Sequence, residues 1–125
     1  MYQVSVQKDF IAKHRLVGGD WGKENDVHPH HYILELVLRG KELDRHGYLV
    51  DIDDIDKNLV RIVNHFQDKL INELPEFSGL NPSIEHFARI ICKDLAQTIQ
   101  AKNINHYFVR LWENSNAWAS FEVEK

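Results

Sequence analysis

The chain has 125 residues, room for one domain spanning 1–125. Hydrophobic residues at 43% and charged residues at 27% sit close to the globular average, which excludes wholesale disorder. Fifteen Lys and Arg against 19 Asp and Glu leave a formal charge of −4, so the broad basic field that nucleic acid or anionic membranes require is absent.

Tyr2, Val4 and Val6 alternate with polar residues and predict a half-buried strand, continued on the same parity by Phe10, Ala12 and His14. Gly18, Gly19, Asp20, Gly22, Asn25 and Asp26 make residues 17–27 a loop. A second strand starts near His28, with His30, Tyr32, Leu34, Leu36 and Leu38 on one face. Residues 40–47 read as a turn, and residues 48–50 as a short strand. Ile52, Ile55, Leu59, Ile62, Val63, Phe66 and Leu70 then form one helical stripe. Residues 72–81 break that pattern. Asn81 as N-cap with Pro82 in the first turn predicts the next helix start, and Ile84, Phe87, Ala88, Ile91, Leu95 and Ile99 make its stripe. Residues 103–113 and 117–123 read as a hairpin turned at Asn114, Ser115 and Asn116.

The order strand, strand, helix, helix, strand, strand predicts an α+β sandwich, with two helices on one face of an antiparallel sheet. Tyr, Trp and Leu positions beyond the reach of two helices suggest association through the open face of the sheet. The single cysteine, Cys92, allows no intramolecular disulfide and fits a reducing, cytoplasmic setting. The N-terminal residues alternate like a strand instead of showing a basic-then-apolar leader. No apolar run approaches the roughly 20 residues that span a bilayer.

Eight histidines are the strongest chemical signal. His28 and His30, two apart in a strand, project from one face, and His14 ends a same-parity series on the strand before. Neighbouring strands lie about 4.8 Å apart, so the three imidazoles can converge on one ion. Three histidine nitrogens with an open fourth position suit catalytic Zn²⁺, and solvated imidazoles at a strand entry are the plainer alternative. His31 points to the opposite face. His46 and His106 read as surface or interface residues, and His86 as outward-facing.

Several dispersed motifs resemble the 6-pyruvoyl-tetrahydropterin synthase family, which includes the 6-carboxy-tetrahydropterin synthases. They are Phe10, Ala12 and His14; His28, His30 and Tyr32 after a glycine-containing loop; Gly47 to Asp51; Asn72; Asn81 to Glu85; and Glu113. The resemblance implies the tunnelling fold, a four-stranded antiparallel sheet in β-β-α-α-β-β order carrying two helices on one face. It also implies a homo-oligomer, trimer or hexamer, closed through its sheets, with active sites near the subunit interfaces. Zn²⁺ would sit on His14, His28 and His30. Glu113 would anchor a pterin ring through two parallel hydrogen bonds. Ser83 and Glu85 match further pterin-contacting positions, although capping and first-turn charge explain both equally well.

The chain departs from the family pattern where catalysis resides. Glu24 stands at the usual cysteine position, four residues before His28. The usual Asp-His pair falls on Gln67 and Asp68, or on Asp68 and Lys69 with a one-residue slip. Cys92 lies within the second helix and is no substitute. Members with glutamate at that position are associated with side-chain cleavage to 6-hydroxymethyl-dihydropterin. The expectation is therefore a zinc-dependent pterin lyase acting on 7,8-dihydroneopterin or its triphosphate, with Glu24 as general base and Asp68 or Glu85 as relay. The alternative is a zinc-containing pterin-binding protein that has lost turnover.

Overall fold

The computed structural model describes residues 1–125. The first two alternating segments form β1 (Tyr2–His14) and β2 (His28–Gly40), which pair antiparallel along their whole length. Helices α1 (Ile52–Phe66) and α2 (Ile84–Thr98) follow, then β3 (His106–Asn114) and β4 (Ala117–Glu124). The sheet order is β1-β2-β3-β4, and all three pairings are antiparallel.

Both helices cover one face of this sheet. Helix α1 lies on β1, and α2 on β3 and β4. Under them lie Phe10, Tyr32, Leu34, Leu36, Leu38, Tyr107, Val109 and Leu111, all buried. Each such side chain contributes roughly 1.5–3 kcal/mol on burial. An aromatic wedge fills the space between the helices, with Phe87 at 4.8 Å from Phe66, 5.3 Å from Phe77 and 5.1 Å from Tyr32. No helix is long and apolar enough to cross a membrane.

Element ends differ from the periodicity where long-range partners compete. The stripe through Leu70 predicts a longer first helix, but α1 stops at Phe66. Residues 67–70 dock on the free edge of β1 instead: the Lys13 N–H donates to the Lys69 carbonyl at 2.8 Å, and that of Asp68 to Ile11 at 2.6 Å. Asp68 takes a left-handed φ of 61° to make this turn. Residues 48–50 form no strand. Asp44 accepts from the N–H groups of His46 and Tyr48 at 2.8 and 3.0 Å, which folds that stretch into a tight loop. The N-cap of α2 is Ser83, whose hydroxyl accepts from the His86 N–H at 3.1 Å. Asn81 does not cap, because its side chain is used elsewhere.

The open face also differs from expectation. The tyrosines and leucines of the β2 and β3 cores all turn toward the helices. Of the predicted surplus only tryptophan remains there, Trp112 and Trp118 at 6.2 Å, with the mixed company of Ile33, Val37, Phe108 and the ion pair Glu35–Arg110 at 3.0 Å. His31 is on this face as predicted, 2.7 Å from Asp9. His106 is not a surface residue: only 9% exposed, it pairs with Glu122 at 2.8 Å. His86 is half-buried, its Nδ1 at 2.9 Å from the Asn81 carbonyl.

Candidate metal centre and substrate pocket

The β1–β2 register places His14 opposite His28 and Ala12 opposite His30. All three imidazoles therefore leave one end of the sheet on its helix-covered face. Their ring centroids lie 4.5, 4.6 and 4.8 Å apart, and one nitrogen from each falls within 4.8 Å of the others. His14 is only 2% exposed. Burial, and then the nearby His30 and His28, lower its imidazole from 6.5 to about 4, so it is neutral at physiological pH, as a metal ligand must be.

The donor set fits a metal ion. His28 Nδ1 donates to the Asp26 carbonyl at 2.7 Å, which leaves Nε2 with the lone pair. That Nε2 and the Nε2 of His30 are buried without a hydrogen-bond partner. An orphaned buried polar atom costs about 1–3 kcal/mol, a penalty that an ion bound to both nitrogens would remove. His14 Nδ1 is engaged by the Tyr32 hydroxyl at 3.0 Å, which leaves its own Nε2 free. Three nitrogens with an open position are the donor set of catalytic zinc.

Glu113 reaches this cluster. It follows Tyr107, Val109 and Leu111 on the helix-covered parity of β3, at a register shift between Trp112 and Asn114, and Oε1 lies 3.4 Å from His30 Nε2. Burial and the charge of Glu113 raise the Tyr32 phenol well above its ordinary range, so it stays protonated. Ser83 and Glu85 occupy the N-cap and first turn of α2. That turn is tied to the segment after His14, because the Asn81 side chain accepts from the Val17 N–H at 2.8 Å.

Glu24 lies in a short 3-10 turn, Gly22–Asn25, with its carboxylate exposed to solvent. Its backbone carbonyl accepts from the Leu16 N–H at 2.9 Å. The Asn25 amide donates to the carbonyls of Leu16 and Gly19 at 3.1 and 3.0 Å. The Glu24 loop is thus fastened two residues from one candidate ligand and four from another. Asp68 is different: its hydrogen bonds run to Gln67 and Ile11, none to the histidines. Cys92 is buried in α2, its thiol pushed up to about 12 by desolvation.

Two contributions escape sequence reasoning: the Tyr32 bond to His14, and the Asp26 carbonyl that orients His28. Tyr32 shares the parity of His30, a signal that it lines the same face. Nothing in the sequence marks the Asp26 carbonyl.

The profile of the family described as 6-pyruvoyl tetrahydropterin synthase matches residues 3–124. A 6-carboxy-5,6,7,8-tetrahydropterin synthase of Rickettsia typhi is 28% identical over 106 residues, covering 70% of this chain and 75% of that one. Among solved structures, 6-pyruvoyl tetrahydropterin synthase of Caenorhabditis elegans superposes with a TM-score of 0.84 at 18% identity, covering 98% of this chain and 96% of the other. A catalytic-residue mutant of the Plasmodium vivax enzyme, glutamate replaced by alanine, gives 0.83 at 15% identity, with coverage of 99% and 98%. The four-stranded sheet with two helices in β-β-α-α-β-β order is the tunnelling fold of these neighbours. With nearly its whole length matched, the chain belongs to the 6-pyruvoyl tetrahydropterin synthase family.

Proposed function

We propose that this protein is a zinc-dependent pterin lyase that shortens the side chain of 7,8-dihydroneopterin or its triphosphate, giving 6-hydroxymethyl-dihydropterin. The observation that carries the proposal is the His14, His28 and His30 cluster with its partnerless nitrogens, flanked by a loop bearing Glu24 in place of cysteine. Glutamate as the catalytic residue of the Plasmodium vivax relative supports the same reading.

Zinc, when bound, would polarise the side-chain hydroxyls. The chain's own residues do the rest. Glu24 takes the proton of the second side-chain hydroxyl as the carbon–carbon bond to the first side-chain carbon breaks. The electron pair flows into the ring, a proton returns to the first side-chain carbon, and a two-carbon aldehyde leaves. Glu113, Ser83 and Glu85 hold the substrate, with Glu113 at the cluster and the other two on α2. Asp68 or Glu85 is assigned as the proton relay. The edge of β4, the stretch of the β1 edge before Ile11 that residues 67–70 leave uncovered, and the apolar residues of the open face support a homo-oligomer, trimer or hexamer.

A zinc-containing pterin binder without turnover is the second reading. It is favoured by the bonding of Asp68 away from the cluster and by the missing Asp-His pair. Mass spectrometry of zinc-loaded protein incubated with each substrate decides between them. A shortened 6-hydroxymethyl product is expected; intact substrate beside one bound zinc per chain favours the binder. A His28→Ala, His30→Ala double variant is expected to lose the zinc, and its retention would remove the metal site from both readings.

A further inference from the structure

Tyr32 joins the metal cluster to the aromatic core. Its ring stacks on Phe10 at 5.2 Å and meets the edge of Phe87 at 5.1 Å, so the hydroxyl is fixed in place. That hydroxyl lies 3.0 Å from His14 Nδ1, and both residues are buried. The tautomer of His28 is decided by its partner: the Asp26 carbonyl can only accept, so the proton sits on Nδ1. A phenol can donate or accept, so the same bond at His14 permits either tautomer taken alone. The cluster resolves it. One ring nitrogen from each of the three histidines falls within 4.8 Å of the others, and His14 Nδ1 is taken up by the phenol, so Nε2 is the nitrogen left for the ion. A neutral imidazole with its Nε2 lone pair free carries its proton on Nδ1, and the phenol oxygen then accepts it. In the opposite arrangement, His14 would carry a proton on the nitrogen that the ion needs.

We propose that Tyr32 is a positioning residue of the metal centre: its hydroxyl accepts from the Nδ1–H of His14 and holds that imidazole in the tautomer whose Nε2 lone pair is free for the ion. The inference rests on the three-histidine reading of the metal site. Partners of this kind orient a ligand and raise its basicity, and losing one lowers metal affinity about 10- to 100-fold. The stacked ring of Tyr32 does not depend on the hydroxyl, so packing and positioning separate cleanly.

Tyr32→Phe keeps the ring and deletes the hydroxyl. Zinc affinity is measured by competition with a chromophoric chelator. The ring-nitrogen chemical shifts of His14 are read in metal-free protein near neutral pH. The wild type is expected to carry the His14 proton on Nδ1. The variant is expected to lose that preference and bind zinc about 10- to 100-fold more weakly, while its metal-free unfolding stays cooperative. Wild-type zinc affinity in the variant, or a wild-type His14 protonated on Nε2, overturns the inference. The wild-type spectrum tests the tautomer without any substitution. Failure of the underlying reading looks different: wild-type protein that takes up no zinc removes the site, and the role of Tyr32 with it.

Discussion

Asn72 holds Arg15 by both backbone groups, 57 residues away in the chain. The Arg15 N–H donates to Asn72 Oδ1 at 2.9 Å, and Asn72 Nδ2 donates to the Arg15 carbonyl at 3.0 Å. One side chain thereby replaces a neighbouring strand just beyond His14. Asn72→Ala removes both bonds and is expected to cost about 1–3 kcal/mol in urea denaturation. Chelator competition should also show weaker zinc binding, because the strand end that carries His14 loses its tether. Unchanged zinc affinity would mean that the β1–β2 ladder alone places the ligand.

Glu24 is exposed on a loop whose backbone is anchored at Leu16, so neutralising it should disturb chemistry more than folding. Glu24→Gln is expected to lower product formation at least 100-fold, within the range of a lost general base, and to leave zinc content unchanged. Rapid-quench product analysis measures it, and undiminished turnover would exclude Glu24 from the mechanism.

His14 makes the metal-free protein sensitive to acid. Its imidazole titrates at about 4 in the fold and at 6.5 when unperturbed. Between those values the unfolded chain binds more protons than the folded one, so stability falls as pH falls through that window. The urea midpoint of metal-free protein should hold above pH 6.5 and drop toward about 4. His14→Gln is expected to shrink the drop, and an unaltered profile in that variant would place the sensitivity elsewhere.

Gly40 closes the far end of β2 against a backbone. A Cβ there would stand 2.0 Å from the Asn103 carbonyl oxygen and 2.7 Å from a Leu49 methyl. A carbonyl in the main chain cannot swing aside as a flexible side chain can. Gly40→Ala is expected to destabilise by about 1–3 kcal/mol in urea unfolding, with zinc binding preserved, since His28 begins the opposite end of that strand.

Periodicity carries the four strands and two helices well because side-chain direction follows from the local backbone repeat. The parity shared by His14, His28 and His30 is of that kind, and so is the outward placement of His31. Element ends are another matter. Leu70 continues the α1 stripe, yet the chain leaves the helix at Phe66 because the free edge of β1 offers hydrogen bonds to residues 67–70. Asn81 looks like the cap of α2, yet Val17 claims its side chain and Ser83 caps instead. His106 is a polar residue early in a strand, and its pairing with Glu122 of β4 at 2.8 Å depends on the β3–β4 register.

The order of elements, the helix-facing stripes and the common face of His14, His28 and His30 were determined by the sequence alone, through residue spacing and backbone repeat. Which residues support that set was decided only in three dimensions. The bond from Tyr32 to His14, the Asp26 carbonyl behind His28, the approach of Glu113 to His30 and the grip of Asn72 on Arg15 depend on strand register and on contacts between distant segments. Hydrogen bonds choose partners by distance and angle, and those are set once the sheet has closed and the helices have packed.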